Sequence, residues 1–352
     1  MMRIAIDAMG GDYAPREIVR GGVLAAKQIK DIDAVILVGD DRLIREELQA
    51  CGGAESDRLR VAHATEVIGM EDAPATAVRK KKDSSINRCV ALIKDCEAEA
   101  AVSAGNSGAF SAAALFGLGR VKGVARPAIA SVLPTRDRPL LLVDAGANMD
   151  CDPAWLAQFA IMGSAYSQAV LRQPNPVVGL LSIGTEDCKG NEMTKQAFHL
   201  IQRTGVNFRG NVEGHDLFLG KTDVVVCDGF VGNVVLKTTE SVAHAISFWM
   251  KKEFVRHPVR MLGALLLKGA LSTLKRRMDP EIYGGAPLLG VNGPVIITHG
   301  ASTQKAIFHA VRVAAVAARN NITSEIASRI AAMPLHDDPP APGAKGSADA
   351  QG

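Results

Sequence analysis

An alternation constrains this chain more than any other feature. Short β-branched or apolar runs recur along it, with longer amphipathic stretches between them. The runs are Arg3 to Asp7, Ala34 to Val38, Leu59 to His63, Ala100 to Ser103, Ala128 to Leu133, Leu140 to Val143, Val177 to Ile183, Asp223 to Cys227 and Val295 to Thr298. The stretches between carry helix-start signals. Pro15 opens one, Asp41 caps another, Asn106 or Ser107 begins a third, Pro153 a fourth and Ser302 a late one. Strand followed by helix, repeated, predicts a mostly parallel sheet covered on both faces, a three-layer α/β/α arrangement.

Composition agrees with that fold. Of the 352 residues 47% are hydrophobic and only 4% aromatic, so Ala, Val, Leu, Ile and Gly must do the packing. We expect one catalytic α/β domain over residues 1–333. Residues 334–352, rich in Pro, Ala, Gly and Asp, read as a disordered tail. A net charge of +3 demands no nucleic-acid partner, and any basic patch must be local. The six cysteines are scattered without a C-x-x-C pair, which reads as free thiols of a reducing compartment. The chain runs from Met1 straight into a strand with no export signal, and no stretch approaches the roughly 20 apolar residues of a membrane span. A cytoplasmic protein is expected.

In such folds the loops leaving the strand C-termini build the site. Here they are Asp7 to Asp12, Ser103 to Ala109, Asp144 to Asp150, Gly184 to Asn191 and Asp228 to Asn233. All are rich in glycine, Asp, Asn and small polar groups, which predicts one shared polar crevice. Ser103 to Ala109 suits an anion, because glycines admit a ligand to the backbone and a helix start offers N–H groups. Equally, Gly105 and Gly108 serve a tight turn. No G-x-G-x-x-G follows the first strand, and there is no P-loop, no G-x-S-x-G elbow and no metal-type histidine spacing. His199, His244 and His309 fall in helical runs and read as structural. Nothing here asks for a metal or cofactor.

Eight strings then carry a resemblance: IAIDAMGGDYAP (4–15), RKKKDSSI (79–86), SAGNSGA (103–109), DAGANMDCDPAWLAQFAIMG (144–163), IGTEDCKGN (183–191), GNVEGHDLF (210–218), DVVVCDGFVGNVVLKT (223–238) and YGGAPLLGVNGPVIITHG (283–300). In order and together they resemble the acyl-acyl-carrier-protein:phosphate acyltransferase family, PlsX. His215 stands where a larger basic residue is more usual.

The resemblance implies a fold similar to the isocitrate and isopropylmalate dehydrogenases, a homodimer and no nicotinamide. It implies transfer of a long-chain acyl group from acyl-carrier protein to inorganic phosphate, the acyl phosphate feeding phospholipid synthesis. It puts the catalytic pair on Lys189 and Asn233. The chemistry suits those types. Phosphate is already an anionic nucleophile, so no Ser-His-Asp relay is needed. A lysine ammonium neutralises phosphate and oxyanion, and an asparagine amide donates to the oxyanion. The substrate- and phosphate-binding candidates are Asp7, Gly105, Asn106, Ser107, Asp144 and Asn148. Carboxylates repel phosphate, so Asp7, Asp144 and Asp150 are expected to orient Lys189 or to brace loops and cap helices.

Residues 245–278 are the other distinctive region. Eight Lys and Arg face one acid, Glu253, and Pro258 breaks the run. Leu262, Leu265 and Leu266 lie in a greasy stretch between the basic flanks. This predicts a projecting helical hairpin at about 245–280 that touches an anionic membrane surface, so that the protein is peripherally membrane-associated. A dimer-interface hairpin is the plainer reading. A phosphotransacetylase-like enzyme of short acyl-CoA and a non-enzymatic membrane scaffold stay open, with an NAD-dependent decarboxylating dehydrogenase a weaker third.

Overall fold

A computed structural model describes residues 1–333, leaving aside the side chains of Lys275, Arg276, Met278 and Pro280. The expected tail at 334–352 lies outside the described residues. The strands are β1 (Arg3–Asp7), β2 (Ala34–Gly39), β3 (Leu59–His63), β4 (Ala100–Ser103), β5 (Ala128–Leu133), β6 (Leu140–Val143), β7 (Val178–Leu181), β8 (Phe208–Val212), β9 (Val224–Val226), β10 (Ala286–Leu289) and β11 (Val295–Ile297). The helices are α1 (Arg16–Gln28), α2 (Asp41–Ala50), α3 (Pro74–Lys80), α4 (Ser85–Lys94), α5 (Ser107–Gly117), α6 (Pro153–Ala169), α7 (Glu192–Gln202), α8 (Gly229–Val255), α9 (Pro258–Leu266), α10 (Lys268–Met278), α11 (Gln304–Arg319) and α12 (Ile322–Ala331).

The strands form one sheet in the order β3-β2-β1-β4-β11-β10-β5-β6-β9-β7-β8. Both faces are covered, and alternation along each strand decides which side chain goes where. Ile4 and Ile6 of β1 and Val35 and Leu37 of β2 pack on one face, with α1, α6, α11 and α12. Ala5, Ile36 and Val38 pack on the other, with α4 and α5. This is the expected α/β fold with a mostly parallel sheet.

Its direction changes part-way. β1, β2, β3, β4 and β11 are mutually parallel, and so are β6, β7, β8 and β9. Between these halves β11/β10, β10/β5 and β5/β6 are antiparallel. Three reversals make the two halves run oppositely. Short links dictate two of the reversals: residues 134–139 and 290–294 join their strands, and a parallel crossover needs a dozen residues or more.

Short polar side chains cap the helices that enter the site. Asn106, Asn191 and Asp228 accept from Ala109, Thr194 and Val231 N–H groups. Two expected starts move by one residue: Asp40, not Asp41, caps α2, and the late helix begins after Thr303 rather than Ser302. All six cysteines are free thiols.

Candidate active site

On one sheet edge, β6, β9 and β7 end side by side. The loop after β6 is organised by Asp144, which is fully buried. Its Oδ1 accepts from the N–H groups of Ile129, Gly146 and Ala147 at 3.0–3.1 Å. Its Oδ2 accepts from the backbone and side-chain amides of Asn148 at 2.7 and 2.8 Å. Burial pushes this carboxyl up from its usual range, and the donated N–H bonds hold it back. Asn148 also donates to the Pro127 carbonyl at 2.8 Å. Asp144 and Asn148 are therefore spent on bracing the loop. Asp150 is exposed.

Helix α8 starts against that loop. The Gly229 N–H donates to the Asn148 carbonyl at 2.7 Å, and only a glycine there avoids it: a Cβ would stand 2.6 Å from that oxygen. Asn233, one turn in, is half-buried. Its side chain lies over Gly146, where a Cβ would come 3.6–3.8 Å from the Asn233 Cβ, Cγ and Oδ1. Among the described residues the Asn233 amide has no hydrogen-bond partner.

The loop after β7 carries Lys189 on the same edge, one strand from the start of α8. The Lys189 N–H donates to the Glu186 carbonyl at 3.0 Å. The side-chain stem crosses Gly184, where a Cβ would meet its Cγ at 2.8 Å. The ammonium is exposed and forms no ion pair among the described residues. Thus one unpaired cation and one unspent amide donor stand on neighbouring loops, the arrangement wanted for an anionic nucleophile and a developing oxyanion.

The remaining candidates lie elsewhere. Asp7, Gly105, Asn106 and Ser107 follow β1 and β4, whose direction is opposite, so they leave the other sheet edge. One chain therefore has two polar clusters instead of the single crevice expected from five loops. The reversed half-sheet is the physical reason. In this second cluster Asp7 is buried and accepts from the Ser103 hydroxyl at 2.7 Å and the Met9 N–H at 3.2 Å. Burial pushes its carboxyl up, while Ser85, given no role in the sequence reading, opposes that with Ser103. Gly10 and Gly105 touch backbone to backbone, since a Cβ on Gly10 would lie 2.6 Å from the Gly105 nitrogen. Asn106 caps α5 through Oδ1, and its Nδ2 donates to the carbonyls of Met70 and Asp72 at 3.0 Å. Ser107 is exposed on the first turn of α5, whose leading N–H groups have no acceptor within the helix.

Glu213, His215 and Asp216 offer ligand atoms within 4.8 Å of one another. The two carboxylates form a capping box and the Lys221 ammonium sits 3.3 Å from Asp216, so the cluster is already satisfied without an ion.

Residues 245–278 are mostly helical: the end of α8, then α9 and α10, with the break expected at Pro258. Leu262, Leu265 and Leu266 are 59%, 64% and 81% exposed, so the greasy stretch has no cover among the described residues. Glu253 pairs with Arg256 and Arg260, leaving Lys251 and Lys252 exposed. No helix among the described residues is long and apolar enough to cross a membrane.

The profile of the fatty acid synthesis protein family matches residues 2–325. The chain belongs to this family. A phosphate acyltransferase of Pelotomaculum thermopropionicum is 53% identical over 331 residues, 94% of this chain and 95% of that protein. One from Desulfitobacterium hafniense is 52% identical over 327 residues, 93% and 96% of the two chains. Membership in the fatty acid synthesis protein family thus agrees with the resemblance carried by the eight strings. Among solved structures a phosphotransacetylase from Streptococcus pyogenes aligns over 90% of this chain and 94% of its own, with a TM-score of 0.62 at 16% identity. A 4-hydroxythreonine-4-phosphate dehydrogenase from Klebsiella pneumoniae aligns over 89% and 98%, with a TM-score of 0.51 at 14% identity. At such identities these two speak for the fold alone.

Proposed function

We infer that this chain is a phosphate acyltransferase that moves a long-chain acyl group from acyl-carrier protein to inorganic phosphate. Relatives at about half identity over nearly the whole length are named phosphate acyltransferases, which supports the reaction type. The observation that carries the site reading is the pairing on one edge of an exposed, unpaired Lys189 with an Asn233 amide that has no partner among the described residues.

In this reading a phosphate oxygen attacks the thioester carbonyl, a C–O bond forms and the carbonyl becomes an oxyanion. Lys189 offsets the repulsion between phosphate and that oxyanion. Asn233 donates to the oxyanion, a contribution on the order of 3 kcal/mol. Collapse breaks the C–S bond and the thiolate leaves without a strong general acid. Asp144 and Asn148 shape the floor. No step calls for a cofactor. Hydroxylamine trapping of acyl phosphate from acyl-carrier protein and phosphate tests the reading, and a free fatty acid as sole product would refute it.

Two further readings complete it. The first is a homodimer in which the Ser103–Ser107 edge of one copy faces the Lys189 edge of its partner. That would reunite the five loops and aim the start of α5 at the phosphate, with Asp7, Gly105 and Asn106 shaping the turn. What supports it is the opposite course of the half-sheets, together with exposed apolar side chains on α8, among them Phe230, Val234 and Trp249. The second is peripheral contact with an anionic membrane through Leu262, Leu265 and Leu266, which supports a cytoplasmic protein that visits the bilayer. The uncovered leucines between basic flanks speak for it.

A further inference from the structure

We propose that Asn211 is a positioning residue for Lys189. The proposal rests on the reading of Lys189 above and adds a residue to which the family resemblance assigned no role. Asn211 lies in the string GNVEGHDLF, whose residues have no part in the reaction so far.

The Lys189 loop has little of its own to hold it. Ile183 and Thr185 to Lys189 are exposed, so burial contributes almost nothing there. It leaves β7 beside β8, the last strand of the sheet. The two strands pair Leu180 with Asn211 and Leu181 with Val212, and the Ser182 N–H donates to the Val212 carbonyl at 2.9 Å. Beyond Ser182 the ladder stops.

Asn211 reaches past that point. Its Nδ2 donates to the Glu186 carbonyl at 2.8 Å. The same carbonyl accepts the Lys189 N–H at 3.0 Å. One oxygen therefore joins the turn bearing Lys189 to a side chain rooted in the sheet. The stem of Lys189 then rests on Gly184, so fixing the turn aims the ammonium.

The other half of the amide is telling. Asn211 is 5% exposed, and its Oδ1 has no partner among the described residues. A buried acceptor left unpaired is destabilising. A residue serving only to fill space would be apolar, as its neighbour Val212 is. The single bond made by Nδ2 is the function left for the side chain, and it acts on the Lys189 turn.

The test compares Asn211→Leu, close in size but lacking the donor, with the full-length parent and with the same change in a Lys189→Ala background. Asn211→Ala serves if the leucine variant does not fold. Phosphate-dependent thiol release should lose up to about 100-fold in kcat, as for a displaced catalytic group, with the KM for acyl-carrier protein little changed and the melting temperature held. In the Lys189→Ala background the second change should cost less than about twofold. Amide exchange should quicken at Lys189 and not in β7 or β9. Wild-type kcat in Asn211→Leu with Lys189→Ala strongly impaired would overturn this proposal alone. Full activity in Lys189→Ala would overturn it together with the reading of the site. Exchange that quickens throughout β7 and β9 would make Asn211 structural and likewise overturn it.

Discussion

A Cβ placed on Gly232 would stand 1.8 Å from the carbonyl oxygen of Asp144. No flexible side chain can yield there, because the obstacle is backbone. Gly232 therefore sets how close α8 comes to the Asp144 loop, and so where the next residue, Asn233, is held. Two neighbouring substitutions should behave differently. Asn233→Ala should keep its melting temperature and lose roughly 100-fold or more in turnover, as for a lost oxyanion donor. Gly232→Ala should lose stability and activity together. Near-wild-type turnover in Asn233→Ala would remove it from the mechanism.

The proposed homodimer predicts complementation between copies. Lys189→Ala removes the cation on one edge, and Ser107→Asp places a carboxylate at the start of α5 on the other. Each variant alone should keep only residual activity. Refolded as a mixture, they should regain about a quarter of wild-type activity, since random pairing makes half the dimers mixed and each mixed dimer holds one intact site. No recovery from mixed dimers would put the whole site within one copy.

Much of this was legible in the sequence and some was not. Strands β1, β3, β4, β5 and β6 match the expected runs to the residue, because turn signals bound each run. Two strands escaped. β8 reads FRGNV, with an arginine and a glycine inside an edge strand, and β10 reads APLL, with Pro287 inside it and glycines on both flanks. The missing β10 hid the reversal between the half-sheets, although the six-residue link after Leu133 was already too short for a crossover. Asp144 shows a limit of another kind. Its loop stood out by composition, but that five N–H bonds consume its carboxylate depends on three-dimensional contacts no spacing encodes.

The exposed leucines of α9 yield a prediction about surfaces. Each Lys or Arg near an anionic bilayer contributes about 1 kcal/mol, and exposed leucines add interfacial burial. The protein should bind anionic vesicles reversibly, more weakly as salt rises. Glutamate at both Leu265 and Leu266 should abolish sedimentation with vesicles and spare activity in solution. A double variant that still sediments would exonerate the tip, and one that falls into inactive monomers would assign the leucines to a dimer contact.

His309 on α11 sets a pH dependence of stability. Burial pushes its imidazole down to about 4, and the nearby Arg312 and Lys305 act in the same direction against Asp279. Between about 4 and the ordinary 6.5 the unfolded chain binds a proton that the folded chain refuses. Its contribution is full above about 6.5 and is lost as pH falls toward 4. The buried Asp7 and Asp144, whose carboxyls are pushed up, work the other way, favouring the fold at low pH. The melting temperature of His309→Gln should therefore fall less than that of the parent between pH 6.5 and 4. Parallel curves would refute this account of His309.

The most direct test of the central claim is thiol release from palmitoyl-acyl-carrier protein, followed with and without inorganic phosphate. The account predicts release that needs phosphate, saturates with it and leaves palmitoyl phosphate, with no metal or nicotinamide added. Release at the same rate without phosphate would mean that water is the acceptor and would contradict it.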